Sequence, residues 1–242
     1  MFSLKGLTMK TNTVLFLMLF SFIATNFIFA QIQQAVYQDE DTPPESFTIL
    51  LKDEWAYLRD AIAQLKNETE NKGEFETTQE FQTRVARSHD SLQSKLNVHL
   101  RETRLVSRVF GLWFKAELIS YNADAEIYSV KCPATIEAPY SIPSVDCIIP
   151  SNPYVELADS IRGGYRTSTI FLKFNPYFEW KVGRDEAQSA KGNESNVFFK
   201  VHFMVSLVQE GSAIHGQLKI IPKDILLLNR GSKYVYWKEE IR

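Results

Sequence analysis

The sequence predicts an α+β protein: an N-terminal two-helix antiparallel hairpin followed by an antiparallel β-domain, a sandwich or a partly closed barrel. Three observations carry this. Apolar residues recur at helical spacing along residues 44–104. The pattern then changes to runs rich in Val, Phe, Ile and Trp. Residues 197–207 alternate strictly, with Val197, Phe199, Val201, Phe203, Val205 and Leu207 on one face. Helices and strands that come in blocks, without alternating, indicate α+β and not a parallel α/β fold.

The chain opens with a targeting pattern. Lys5 and Lys10 precede an apolar run over 14–30 that ends at Ala30, before polar Gln31. A positive start, an apolar middle and a small residue at the end describe a cleaved secretory signal. Residues 1–30 are therefore expected to be a signal peptide, with Met9 a more natural start than Met1. A membrane anchor is the alternative reading. The run is short of the roughly 20 apolar residues a spanning helix needs, and Ser21, Thr25 and Asn26 interrupt it. The expected location is periplasmic or extracellular after cleavage near Ala30, with no membrane span in the mature protein.

Residues 31–43 are polar and read as a flexible leader. Thr42-Pro43-Pro44-Glu45 then marks a helix start, with Thr42 as the cap, Pro43 in the first turn and Glu45 reaching back. Phe47, Leu51, Trp55, Leu58, Ile62 and Leu65 follow at intervals of three and four, one stripe on a helix over about 44–68. Asn71-Lys72-Gly73 breaks it. Thr77 and Glu80 form a capping box that starts a second helix over about 78–104, striped by Phe81, Val85, Leu92, Leu96 and Leu100. A short connection between two long amphipathic helices favours an antiparallel pair. Each stripe is narrow and needs a partner.

Residues 105–242 form the predicted β-rich domain. Strands are expected within 105–120 and at 126–131, 168–174, 197–208, 216–221 and 233–238, with turns at Asn122-Ala123-Asp124 and Gly211-Ser212. Cys132 and Cys147 are the only cysteines, and an even count in an exported chain predicts a disulfide. Two buried free thiols are the alternative.

The sequence carries no motif that names an activity. No G-x-S-x-G, H-E-x-x-H, Walker or dinucleotide fingerprint occurs. His89 and His99 lie ten apart, not at the spacing of a metal pair. The Gly163-Gly164 pair between Arg162 and Arg166 reads as a turn before it reads as an anion cradle. A net charge of -2 gives no support to nucleic-acid binding. No cofactor, metal or catalytic residue is expected.

The segment Lys72-Gly73-Glu74-Phe75-Glu76-Thr77-Thr78-Gln79-Glu80-Phe81-Gln82-Thr83-Arg84-Val85 is similar to one in bacterial exported proteins of unknown function, where E-F-E-T leads into a helix bearing an aromatic residue and then an arginine. Tyr121-Asn122-Ala123-Asp124 resembles their Y-D-A-D turn, and Val182 to Leu228 their closing β-region. The resemblance covers about half the chain in pieces. It implies a bacterial envelope setting and a helix-plus-sheet fold, and brings no activity. The resulting expectation is a non-enzymatic protein that binds another envelope protein or itself, with Trp55 as a candidate contact on the first helix. The alternative is a small-ligand or glycan-binding module using the aromatic-rich stretch 171–180, with Tyr177 and Trp180 as its platform.

Overall fold

The structure is a computed structural model that describes residues 37–39, 41–162, 165–171, 178–210 and 214–241. The predicted signal peptide, most of the leader, the Gly163-Gly164 and Gly211-Ser212 turns and Tyr177 lie outside the described residues. No helix among the described residues is long and apolar enough to cross a membrane.

Two helices come first, α1 (Pro44–Thr69) and α2 (Thr78–Glu102). The start of α1 differs from expectation by one residue. Pro43 is the cap and Pro44 takes the first helical position, where a missing N–H removes nothing. The Thr42 N–H donates to the Gly111 carbonyl at 3.0 Å, which ties the residue ahead of the cap to the main sheet. At α2 the capping box forms as predicted. The Thr77 hydroxyl accepts from the Glu80 N–H at 3.2 Å, and the Glu80 carboxylate accepts from the Thr77 N–H at 2.8 Å. Arg104, in the left-handed region at φ 60°, turns the chain out of α2.

The main sheet joins β1 (Tyr37–Asp39), β2 (Arg108–Lys115), β10 (Val197–Gln209), β11 (Gly216–Asn229) and β12 (Val235–Glu240), in that order. A further strand, β6 (Val145–Ile148), runs parallel to residues 216–219 of β11, while β12 pairs antiparallel with residues 224–228. Two partners thus share one edge of a long strand. Pro222 lies in the gap between them, beside a bulge in the pairing of β11 with β10. That position tolerates a residue with no N–H to give a ladder.

A second sheet holds β3 (Glu117–Asn122), β4 (Ile127–Lys131) and β9 (Phe178–Lys181). The turn from β3 to β4 is closed by the Asn122 side-chain oxygen, which accepts from the Asp124 and Ala125 N–H groups. A third sheet orders β5 (Thr135–Glu137), β8 (Tyr165–Phe171) and β7 (Glu156–Arg162). β10 pairs antiparallel with β2 and β11, β11 antiparallel with β12 and parallel with β6, the pairings of the second and third sheets are antiparallel, and the sheets do not close into a barrel. A short helix, α3 (Arg184–Gly192), leads into β10.

Helices and main sheet share one core. The alternating face of β10, from Val197 to Leu207, is buried along its whole length. The Phe47 ring of α1 lies 5.3 Å from Phe110 and 5.7 Å from Phe203, centroid to centroid. Leu51, Leu58 and Ile62 continue the same stripe and are likewise buried. Each such side chain contributes about 1.5–3 kcal/mol relative to exposure. The other end of the inner face is filled from the second sheet, where Phe178 meets Phe199 at 5.8 Å and Trp237 at 4.3 Å.

Candidate functional site

The connection from α1 to α2 is eight residues of ordinary loop sequence, yet it is pinned. Arg84 stands two turns into α2, on the side that faces the loop. Its guanidinium grips the Glu76 carboxylate with two bonds, Nε to Oε1 at 2.9 Å and Nη2 to Oε2 at 2.8 Å. Nη2 also donates to the Asn71 carbonyl at 3.0 Å, and Nη1 donates to the Glu68 carbonyl. Glu76 Oε2 in turn accepts from the Gly73 N–H at 3.0 Å. The Arg84 bond, followed by the Gly73 N–H, holds the Glu76 carboxyl down at about 2. One arginine thus joins the end of α1, the loop and the start of α2.

The consequence falls on Phe75. It sits between Glu74 and Glu76, outside both helical stripes, and is 93% exposed. A mobile loop would let such a ring fold back onto apolar surface; a pinned one holds it in water. A groove along α2, lined by Glu80, Arg84, Arg87, Ser88, Ser91 and Lys95, shares Glu80 and Arg84 with the start of that helix.

Trp55 is half-buried on α1, with the Arg59 guanidinium 5.5 Å above its ring. Its indole N–H is buried and meets no hydrogen-bond acceptor among the described residues. Next to it the two helices are clipped together. Glu54, almost fully buried, meets His99 Nε2 at 2.7 Å, and Tyr57 stacks on the His99 ring at 3.7 Å. Burial, then the Glu54 charge, pushes the Tyr57 hydroxyl above its ordinary range. Trp55 therefore borders a helix-helix clip and offers a partner less surface than Phe75.

Trp180 is 1% exposed, its ring packed on Tyr128 at 6.1 Å and Tyr236 at 5.2 Å. It is core, and no ligand platform is built on it. The predicted disulfide is corrected: Cys132 and Cys147 are both free and buried. Cys132 follows β4 of the second sheet, whereas Cys147 lies within β6, paired with Leu218 on the edge of the main sheet. Desolvation pushes both thiols up to about 12, so they behave as small apolar side chains.

Each histidine has a side-chain partner: His89 with Gln209, His99 with Glu54, His202 with Asp224 at 2.6 Å, and His215 with Asp146 at 2.9 Å. No group of three metal-ligating side chains occurs among the described residues. Comparison with protein-family models, with characterised proteins and with solved structures finds no match.

Proposed function

We propose that this chain is an exported bacterial envelope protein that acts as a non-enzymatic interaction module, with Phe75 at the hairpin tip as its anchor for another protein. The observation that carries the reading is a fully solvated Phe on a loop locked by the Arg84–Glu76 grip. Aromatic residues, Phe among them, are enriched at protein interfaces. A loop already fixed in its bound shape loses little entropy on association. The apolar run ending at Ala30 supports export, and the E-F-E-T segment that supplies the resemblance is the same segment that carries Phe75.

The experiment is photo-crosslinking in the native host, with a photoreactive residue in place of Glu74 and Phe75 either kept or changed to Ala. A discrete adduct with one protein, lost in Phe75→Ala at unchanged thermal stability, is the expected result. An adduct with a second copy of this chain would identify the partner as itself. The same adducts with and without the Phe75 ring would defeat the proposal.

A further inference from the structure

The outer face of the main sheet carries an unusual collection of charge. The register sets Lys200 of β10 opposite Trp113 of β2, and Phe198 opposite Lys115. Lysine and aromatic ring therefore alternate in both directions. The turn from β11 to β12 adds two more cations. Around the Trp113 ring stand Lys200 Nζ at 4.9 Å, Lys233 Nζ at 4.9 Å and the Arg230 guanidinium at 5.2 Å. Around the Phe198 ring stand Lys115 Nζ at 5.0 Å and Arg230 at 5.4 Å. The two rings meet edge-on at 6.3 Å.

The turn that delivers Arg230 and Lys233 is fixed. The Arg230 N–H donates to the Asn196 carbonyl at 2.8 Å, the Asn229 N–H to the Tyr234 carbonyl at 2.8 Å, and the Ser232 N–H to the Asn229 side-chain oxygen at 3.0 Å. Lys233 is held in the left-handed region at φ 62°, a conformation that costs a side-chain-bearing residue free energy and concentrates at functional positions.

Asp224 acts on Lys200 and Glu194 acts on Lys115, and each of these carboxylates is also engaged elsewhere. Asp224, on the same face, is engaged by His202. Glu194 is taken by Lys191 at 2.7 Å and by the Leu118 N–H. Lys115 Nζ donates to the backbone carbonyls of Glu194 and Val197. Among the described residues, neither Arg230 nor Lys233 makes an ion pair. The three cations at Trp113 stand no further apart than about 10 Å, twice their distance from its ring. That is comparable with the screening length of about 8 Å at physiological salt, so they repel one another. Burial, reinforced by Lys233, depresses the Lys200 ammonium, and burial depresses that of Lys115. The rings offset part of this repulsion through cation–π attraction.

We propose that this cluster is a binding site for a phosphate-type oxyanion, held by Arg230 and Lys233 and backed by Lys200 and Lys115. An arginine fork and flanking ammonium groups match the tetrahedral oxygens of phosphate. The cations crowding Trp113 leave little ring face for a stacked base or sugar, which favours a compact anion. Two sources share this chemistry, the headgroup of an anionic phospholipid and a free phosphorylated solute. The site shares no residue with the hairpin tip, so either proposal can fail without the other.

The test uses full-length mature protein labelled with 15N. Pyrophosphate is titrated at constant ionic strength set with chloride, and the Trp113 indole N–H resonance, assigned by Trp113→Phe, is followed. In parallel, sedimentation with phosphatidylglycerol vesicles is compared with phosphatidylcholine vesicles. A saturable shift, weakened at least tenfold in the Arg230→Gln, Lys233→Gln double variant at unchanged melting temperature, is expected. Both substituted side chains are exposed; Lys233→Gln alone serves as a milder second variant. Pyrophosphate binding without vesicle binding assigns the site to a soluble phosphorylated ligand. Selective sedimentation with phosphatidylglycerol that the double variant loses assigns it to a headgroup. If neither probe binds the wild type, or both bind the double variant equally well, the proposal is overturned.

Discussion

Gly216 opens β11 at the point where α1 rests on the sheet. A Cβ added there would lie 2.9 Å from Ile62 Cγ1 and 3.0 Å from both Leu58 Cγ and Leu58 Cδ1, where ordinary van der Waals contact begins at 3.4 Å. The glycine's φ does not lie in the left-handed region, so contact alone decides the outcome of Gly216→Ala. Two of the three obstructing atoms, Leu58 Cγ and Ile62 Cγ1, lie close to the backbone and cannot swing aside. Both side chains are buried, Leu58 at 0% and Ile62 at 1% exposure. Overpacking of this kind costs about 1–3 kcal/mol. For a domain of this size each kcal/mol lowers Tm by about 2–4 °C, so a fall of roughly 2–12 °C is expected in a calorimetric melt. Leu58→Ala alone should cost about 2–5 kcal/mol through the cavity it leaves. Combined with Gly216→Ala it removes two of the three clashes, and the pair should cost less than the sum by about 0.5–3 kcal/mol. A Gly216→Ala protein that melts within 1 °C of wild type (about 0.3 kcal/mol), or strict additivity in the double variant, would refute the close approach of α1 to β11.

Two further outcomes follow from the titratable groups. Burial keeps Cys132 and Cys147 protonated at pH 8, so a thiol reagent should react slowly with native protein and count two thiols once it is denatured without reductant; a count of zero would mean that they are bridged. The Glu76 carboxyl, depressed to about 2 from 4.5, contributes to the native loop above the unfolded value, and that contribution disappears as pH falls from 4.5 through about 2. Its side-chain 13C shift should titrate with a midpoint near 2 and move back toward 4.5 in Arg84→Met; a wild-type midpoint at 4.5 would mean that the Arg84 grip is absent.

Much of the fold was legible because its elements have strong periodic signals. The stripe from Phe47 to Leu65, the Thr77–Glu80 box and the alternation of β10 each became the element expected of them. What was missed has little apolar signal of its own. α3 buries only Ala187 and Ala190, so its helical face is written in small residues. β5 and β6 are three and four residues long, and β6 depends on a partner about seventy residues away. β11 continues to Asn229 through Pro222, a residue that ends a strand by local rules and is accommodated here only because neither edge partner pairs at that position. The disulfide expectation followed from cysteine count and compartment alone, neither of which places Cys132 just after β4 and Cys147 within β6.

The candidate site was half-visible. Glu76 and Arg84 stand eight apart, a spacing that a helix alone would not join; the loop turns Glu76 back toward the second turn of α2. Phe75 belongs to no periodic pattern, and that mismatch was the available signal for a solvated ring. The cationic cluster was hidden because its members, Trp113, Lys115, Phe198, Lys200, Arg230 and Lys233, come from three separate stretches that only the pairing of β2, β10 and β11 assembles.

The shared core also fixes the order in which the chain can acquire structure. Phe47 and its stripe on α1 have their partners at Phe110, Phe203 and the start of β11, up to some 150 residues downstream. A chain emerging from its N-terminus displays the helical hairpin long before the strands that cover it exist. Contacts so distant in sequence form slowly, since loop closure precedes any gain from burial. The first half therefore waits, apolar and uncovered, until the last third has been made. On this ordering the helical hairpin is expected to stay uncovered until β10 and β11 meet.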